Sequence, residues 1–131
     1  MYMLTFRYLI ITILLTSACA QVGSISGGAK DVIAPRIEFC NPSDGQLNAV
    51  VEQMTIEFDE FVKLQNPVEN IILLPANVEY EYLLKGKTLQ IDFQEKLKDN
   101  TTYSLYLNGA ILDITEGNDS LIQIAFSTGP E

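Results

Sequence analysis

The sequence has no histidine and no tryptophan, and it has only two cysteines among its 131 residues. The lack of histidine excludes Ser-His-Asp and Cys-His catalytic machinery, and it excludes histidine-ligated zinc or iron sites. The lack of tryptophan removes the usual platform for stacking on sugars, which tyrosines replace only in part. We therefore expect a protein that is not an enzyme and that has no cofactor.

Basic residues are also few, with eight Lys and Arg against seventeen Asp and Glu, so the net charge is −9. The basic residues are scattered along the chain. Because proteins bind phosphate backbones by neutralising them with clustered Lys and Arg, we expect no nucleic-acid partner. The same acidic balance argues against docking of the protein surface on anionic lipid headgroups, so a membrane attachment must have another source.

We expect the N-terminal segment to be that source. Arg7 precedes residues 8–15, which are apolar apart from Thr12, and small residues then lead through Ala18 to Cys19. A positive charge, a short apolar run and a small-residue cleavage site are typical of a signal peptide, and the run is too short to span a bilayer. The segment resembles a bacterial lipoprotein signal cut just before Cys19. Lipidation of Cys19 by diacylglycerol and palmitate would then hold the protein on a membrane. An ordinary secretory signal, cut near Ala18 or Ala20 without lipid, is the alternative.

The chain therefore divides into three predicted parts. Residues 1–18 form the signal peptide, residues 19–34 hold the lipidated cysteine and a flexible tether rich in Gly and Ser, and residues 35–129 form the folded domain. Residues 20–24 lack the acidic cluster that resembles a surface-export signal. We therefore expect an anchor on the periplasmic face of the bacterial outer membrane, with the cell surface as the alternative.

After Pro35, apolar and polar residues alternate in short runs separated by turn clusters. Alternation with a period of two places one set of side chains on one face of a β-strand. Seven such runs with frequent turns predict an all-β, immunoglobulin-like (Ig-like) antiparallel sandwich of about seven strands. We expect no helix, and a short turn over residues 59–65. The seven runs are residues 37–39, 54–58, 71–74, 78–84, 89–93, 103–107 and 122–126.

A local signature supports the Ig-like version of the sandwich. Residues 97–102 form a polar loop that leads into a strand beginning at Tyr103. In Ig-like domains a tyrosine at this corner hydrogen-bonds through its hydroxyl to the backbone of the preceding loop. We expect Tyr103 to do the same, the alternative being that Tyr103 is simply the first core residue of its strand.

Several motifs resemble one family in order and spacing. They are the lead-in over residues 26–35, the turn over residues 42–45, the strand over residues 56–62 and the closing segment over residues 126–129. The domain looks like a bacterial Ig-like domain of the S-layer SbsA type, and more narrowly like the Ig-like lipoproteins of Bacteroidetes-type bacteria. Such proteins are often longer, so we interpret this chain as a short paralogue or a truncated product.

Two groups of acidic residues are candidate sites. Asp113, Glu116, Asn118 and Asp119 crowd one loop, and hard cations such as calcium prefer their oxygen ligands. The spacing lacks the regular calcium-loop pattern and fits a plain turn, so we expect no metal there. Residues 59 and 60 are adjacent carboxylates, which point to opposite faces of a strand and do not form a hydrolytic pair.

The remaining candidates are a thiol, three tyrosines and the sheet edges. Cys40 is interpreted as a small buried hydrophobe or as a partner for an intermolecular disulfide. We expect Tyr80 and Tyr82 on the core face and Tyr106 on the outer face. The function expected is a structural or protein-interaction role, in which an exposed sheet edge could bind envelope proteins. The alternative is a glycan-binding accessory module of an uptake complex. The sequence leaves the oligomeric state open.

Overall fold

A computed structural model describes residues 28–29 and 32–131. The predicted signal peptide, Cys19 and most of the predicted tether lie outside these residues. No helix among the described residues is both long enough and apolar enough to cross a bilayer.

The described chain forms two antiparallel sheets. The first sheet has the order β1-β2-β6-β5. In the second sheet β7 is central, with β8 along one side and with β4 and β3 along successive parts of the other. The strands are β1 (Ile37–Asn41), β2 (Gln53–Phe58), β3 (Val62–Leu64), β4 (Ile71–Leu74), β5 (Tyr80–Lys85), β6 (Thr88–Phe93), β7 (Thr102–Asp113) and β8 (Asp119–Ser127), and one short helix is α1 (Pro67–Asn70).

This strand order is that of a constant-type Ig-like sandwich, in which strands A, B, E and D form one sheet and C, F and G the other. Here β3 and β4 together take the place of strand C, because the segment containing α1 divides it into two pieces that pair with different parts of β7. The predicted all-β Ig-like sandwich is therefore confirmed, with eight strands instead of seven.

The turn expected over residues 59–65 is only partly correct, because Val62–Leu64 forms a strand paired with the end of β7. Val62 is buried at 3% exposure, while Lys63 is exposed. Three residues are too few to produce a readable period of two, so the pairing with β7 decides the structure. The expectation of no helix is also wrong, since α1 forms one turn with a proline at its start.

In β1 the expected inward face is wrong at one position. Ile37 packs against the core, but Phe39 is 52% exposed, and Cys40 takes the next inward position. The pairing of β1 with β2 shifts register between Ile37 and Phe39. Because an irregularity of this kind inserts one residue out of phase, the side chains that follow exchange faces.

The core lies between the sheets and contains the alternating residues predicted from the sequence. Tyr103 and Phe126 stack at its centre, with ring centroids 5.7 Å apart, and both are at most 1% exposed. Full burial of each large side chain stabilises the fold by about 1.5–3 kcal/mol. The other fully buried large side chains are Phe58, Met54, Ile56, Ile71, Leu89, Ile91, Leu105, Leu107, Ile111 and Ile124.

The free edge of β8, on the side away from β7, is partly covered by residues 44–49, which run parallel to it. The Gly45 N–H donates to the Ala125 carbonyl at 2.7 Å, and the Ser127 N–H donates to the Gln46 carbonyl at 2.8 Å. The Ala49 N–H continues the pairing with the Ser127 carbonyl at 2.9 Å. The segment before β2 is therefore joined to the last strand.

Candidate functional site

The loop between β6 and β7 is held by a tyrosine corner. The hydroxyl of Tyr103 accepts a hydrogen bond from the Lys98 N–H at 2.9 Å, and Tyr103 itself is fully buried. The Thr128 hydroxyl adds a second support, since it donates to the Lys98 carbonyl and accepts from the Thr101 N–H at 3.0 Å. The predicted Tyr103 corner is confirmed, and its role is to fix the polar loop to the core.

At the other end of β7, Asp113 holds the loop that leads into β8. One carboxylate oxygen, Oδ1, accepts from the N–H groups of Glu116 at 2.6 Å and Gly117 at 2.8 Å. The other oxygen, Oδ2, accepts from the N–H of Asn118 at 3.2 Å and from its side-chain Nδ2 at 2.8 Å. With the Thr115 hydroxyl, which lies 3.5 Å from Oδ1, five donors converge on one carboxylate that is only 1% exposed.

These contacts set the ionisation of Asp113. Burial by itself raises the pKa of a carboxyl group, but the hydrogen bonds from Gly117, Glu116 and Asn118 outweigh it and hold the pKa of Asp113 below its ordinary value. The carboxylate is therefore charged at neutral pH, and its charge is compensated by oriented backbone dipoles.

The four residues considered for calcium have different roles in this loop. Asp113 is its acceptor, Glu116 and Asn118 donate backbone N–H groups to it, and Asp119 begins β8 as an exposed residue paired with Leu112. Within the part of the chain that the structure describes, no three or more His, Cys, Asp or Glu side chains are grouped to hold a metal ion. The contacts of Asp113 with Glu116 and Asn118 hold the connection between β7 and β8.

The carboxylates at positions 59 and 60 lie in the bend between β2 and β3. Asp59 Oδ1 accepts from the Arg36 N–H at 2.9 Å, and the Asp59 carbonyl accepts from the Lys87 Nζ at 2.7 Å. The ammonium of Lys87 also lies 5.7 Å from the centre of the exposed Phe61 ring. Asp59 therefore ties the start of β1 to this bend.

The tyrosines do not share one surface. Tyr80 faces the second sheet and donates through its hydroxyl to the Ile71 carbonyl at 2.7 Å. Tyr82 is 36% exposed, so its expected core position is only partly correct, because β5 lies at the sheet edge where the opposite sheet does not fully cover it. Tyr106 is half-buried on the outer face of the second sheet, as expected. Its hydroxyl accepts a hydrogen bond from the Gln123 side-chain amide at 3.3 Å.

Cys40 is half-buried, and its thiol donates to the Pro42 carbonyl at 3.0 Å. Burial raises the pKa of the Cys40 thiol to about 11, with a smaller contribution from the nearby negative charge of Asp44. The thiol is therefore protonated at neutral pH, and since the thiolate is the reactive form, Cys40 is a poor nucleophile.

Two polar contacts that join distant parts of the chain were not predicted from the sequence. Asp44 Oδ1 accepts from the Ala125 N–H at 2.8 Å, and the buried Ser120 hydroxyl donates to the Pro35 carbonyl. The sequence predicts the turn over residues 42–45, which contains Asp44. However, its partner strand lies eighty residues away, and nothing local in the sequence identifies it.

The fold and its loops define the class of protein: an Ig-like β-sandwich with a constant-type strand order and a tyrosine corner. The chain belongs to the bacterial Ig-like domain family, whose model matches residues 31–128. No curated protein matches the chain.

Two solved structures share the fold. The N-terminal part of the bacterial S-layer protein SbsC aligns with a TM-score of 0.50 and 14% identity, over 74% of this chain and 24% of that chain. The LD transpeptidase LdtMt1, solved in complex with imipenem, aligns with a TM-score of 0.50 and 16% identity, over 72% of this chain and 40% of its own. At these identities the likeness is one of fold, and this chain spans less than half of either protein.

Proposed function

We propose that this protein is a non-enzymatic, lipid-anchored Ig-like module of the bacterial cell envelope that acts through protein–protein contact. The observation that carries the proposal is the position of Cys19, directly after the small residues that end a signal peptide. Membership in the bacterial Ig-like family and the resemblance to Ig-like lipoproteins of Bacteroidetes-type bacteria support it.

The polar contacts of the described residues favour a structural role. Asp113 and Asp59 hold loops, the Tyr80 hydroxyl bonds to a carbonyl, and the Cys40 thiol is protonated at neutral pH. Each of these groups could act as an acid, a base or a nucleophile, but each makes a contact that holds the fold. A module of this type offers its surfaces and edges to partners.

The place where the chain enters the domain gives the proposed anchor a direction. The Pro35 carbonyl bonds to Ser120 at the start of β8, so the chain enters beside the Asp113 loop. Val32 follows Cys19 by thirteen residues, which reach at most about 45 Å when fully extended. The end with the Asp113 loop is therefore the end to which the proposed tether is joined, and we place the anchor on the periplasmic face of the outer membrane.

The experiment compares Cys19→Ala with Cys40→Ala in cells that are fed labelled palmitate. We expect label and membrane fractionation for the wild type and for Cys40→Ala, and a soluble, unlabelled protein for Cys19→Ala. Cys40→Ala removes the chain's other cysteine and so controls for the loss of a thiol. Mass spectrometry that finds a free N-terminus at Gln21 in the wild type would contradict the anchor.

Glycan binding is a second candidate, favoured by the pairing of Tyr106 with Gln123 on the outer face of the second sheet. An aromatic ring beside an amide is a suitable contact for a sugar. Under this alternative, Tyr106→Ala abolishes retention on an envelope glycan matrix, whereas Tyr82→Ala does not. Equal retention of both variants would leave the protein-contact proposal as the better account.

A further inference from the structure

Strand β5 is the regular, uncovered edge of this sandwich. It pairs with β6 over six consecutive residues without a register shift, and in residues 28–29 and 32–131 no segment pairs with its other side. The remaining edges carry features that discourage pairing: β1 has an irregular register, β8 is partly covered by residues 44–49, and β3 and β4 are short and separated. An unprotected edge is a template for another strand.

The orientation of the backbone in β5 follows from one hydrogen bond. The Gln94 N–H donates to the Glu79 carbonyl at 2.9 Å, so residue 79 faces β6. Because backbone polar groups alternate along a strand, residues 81, 83 and 85 also bond to β6, while the N–H and C=O groups of Tyr82 and Leu84 point to the open side.

The side chains alternate in the same way. Tyr82 and Leu84 lie opposite the buried Ile91 and Leu89, so they are on the inner face. Glu81, Leu83 and Lys85 are on the outer face, and all three are exposed. Leu83, with 45% of its surface exposed, sits between a negative and a positive charge at equal distances along the strand.

We propose that a second copy of this chain pairs with β5, antiparallel and in the register that sets Leu83 opposite Leu83. In this register Glu81 lies opposite Lys85 of the second copy, and the two-fold symmetry repeats that pair. The outward backbone groups of Tyr82 meet those of Leu84 of the second copy. The two four-stranded sheets then form one sheet of eight strands.

Charge explains why the partner is a second copy. Glu81 already lies directly opposite Asp92 of β6, and like charges at such positions repel each other. Lys85 of the second copy would add a cation next to this carboxylate pair. Because the pattern of negative, apolar and positive residues is complementary to itself when reversed, no other sequence is required. The proposal rests on the fold and does not depend on the lipid anchor.

The first test uses the full chain with Cys19→Ser and Cys40→Ser, so that the introduced residue is the only cysteine of each variant. In the proposed register the two copies of residue 83 form a non-hydrogen-bonded pair with Cα atoms about 4.5 Å apart, which a disulfide can bridge. Leu83→Cys should give a covalent dimer under mild oxidation. Leu74→Cys, at 43% exposure on β4, is the matched control and should stay monomeric.

The register is tested by mixing two variants in the same background. Glu81→Cys and Lys85→Cys should form a mixed disulfide when combined. Neither should crosslink with itself, because like positions would lie about 13 Å apart. Equal crosslinking of Leu83→Cys and Leu74→Cys would overturn the pairing through β5, and preferential self-crosslinking of Glu81→Cys would overturn the register.

A charge reversal tests the association without crosslinking. Glu81→Lys should weaken the dimer about tenfold in sedimentation equilibrium, since one substitution reverses two symmetry-related pairs. The double variant Glu81→Lys, Lys85→Glu should restore the wild-type constant, because the pair is only exchanged. A wild-type chain that remains monomeric at about 1 mM would overturn the proposal, since such association is too weak to matter. So would a double variant that stays as weak as Glu81→Lys.

Discussion

The two loops that flank β7 are each held by a side chain from that strand, but by different chemistry. At the start of β7, Tyr103 offers one neutral hydroxyl to one backbone N–H. At the end, Asp113 offers a charged carboxylate to five donors. The first loop therefore depends on a hydrogen bond to a hydroxyl, whereas the second depends on an ionised group. Four predictions test this comparison.

The largest expected effect comes from Asp113→Ala. This change leaves the N–H groups of Glu116, Gly117 and Asn118 without their acceptor in a half-buried loop, and donors that are shielded from water and left unsatisfied are costly. We expect a greater loss of stability in urea denaturation than for Tyr103→Phe. Asp99→Ala is the control, because that side chain is 77% exposed and should matter little. Equal midpoints for the two variants would contradict the role of Asp113.

The dependence on pH sharpens the comparison. Because the pKa of Asp113 is lower in the folded protein than in the unfolded chain, its stabilisation is fully present above about pH 4, the unfolded pKa. That stabilisation is lost as the pH falls further through the folded pKa. The difference in melting temperature between the wild type and Asp113→Asn should therefore shrink between pH 5 and pH 2. A difference that stays constant over this range would show that the charge is not involved.

Tyr103→Phe should have a smaller effect, of about 0.5–1.5 kcal/mol, because it removes one net hydrogen bond and keeps the ring stacked on Phe126. The free energy of unfolding from urea denaturation measures it. An unchanged midpoint and slope would mean that the hydroxyl does not hold the corner.

The smallest expected effect is that of calcium. Both oxygens of Asp113 are occupied by donors of its own loop, so calcium would have to displace them. We expect no change in melting temperature when calcium or a chelator is added, and no heat in a calorimetric titration. A rise in melting temperature with calcium would contradict this expectation and would support a metal site formed by Asp113, Glu116, Asn118 and Asp119.

The sequence predicted those features whose cause is local. The sandwich followed from alternation, and the Tyr103 corner followed from a polar loop placed directly before a tyrosine. The strand Val62–Leu64 was missed, since only its pairing with β7 makes three residues a strand. The exposure of Phe39 was missed because it depends on a register shift against β2.

The candidate site shows the same limit. A connection between β7 and β8 could be predicted from the composition of residues 116–119, although Asp119 already belongs to β8, but the choice of Asp113 as the acceptor depends on the point where β7 ends. The exposure of Tyr82 depends on strand order, because the same residue on a central strand would be covered. Features that depend on the local sequence pattern can be predicted from the sequence alone, whereas features that depend on which strands are neighbours cannot.

The parallel pairing of residues 44–49 with β8 has a mechanical consequence. The chain enters the sandwich beside the Asp113 loop and leaves at the opposite end, where the Asn48 N–H bonds to the Gly129 carbonyl at 2.9 Å. Tension between the two termini therefore pulls these segments past each other along their length, and their hydrogen bonds bear the load together instead of opening one at a time. A domain held at one end and pulled at the other would resist stretching through the hydrogen bonds between residues 44–49 and β8.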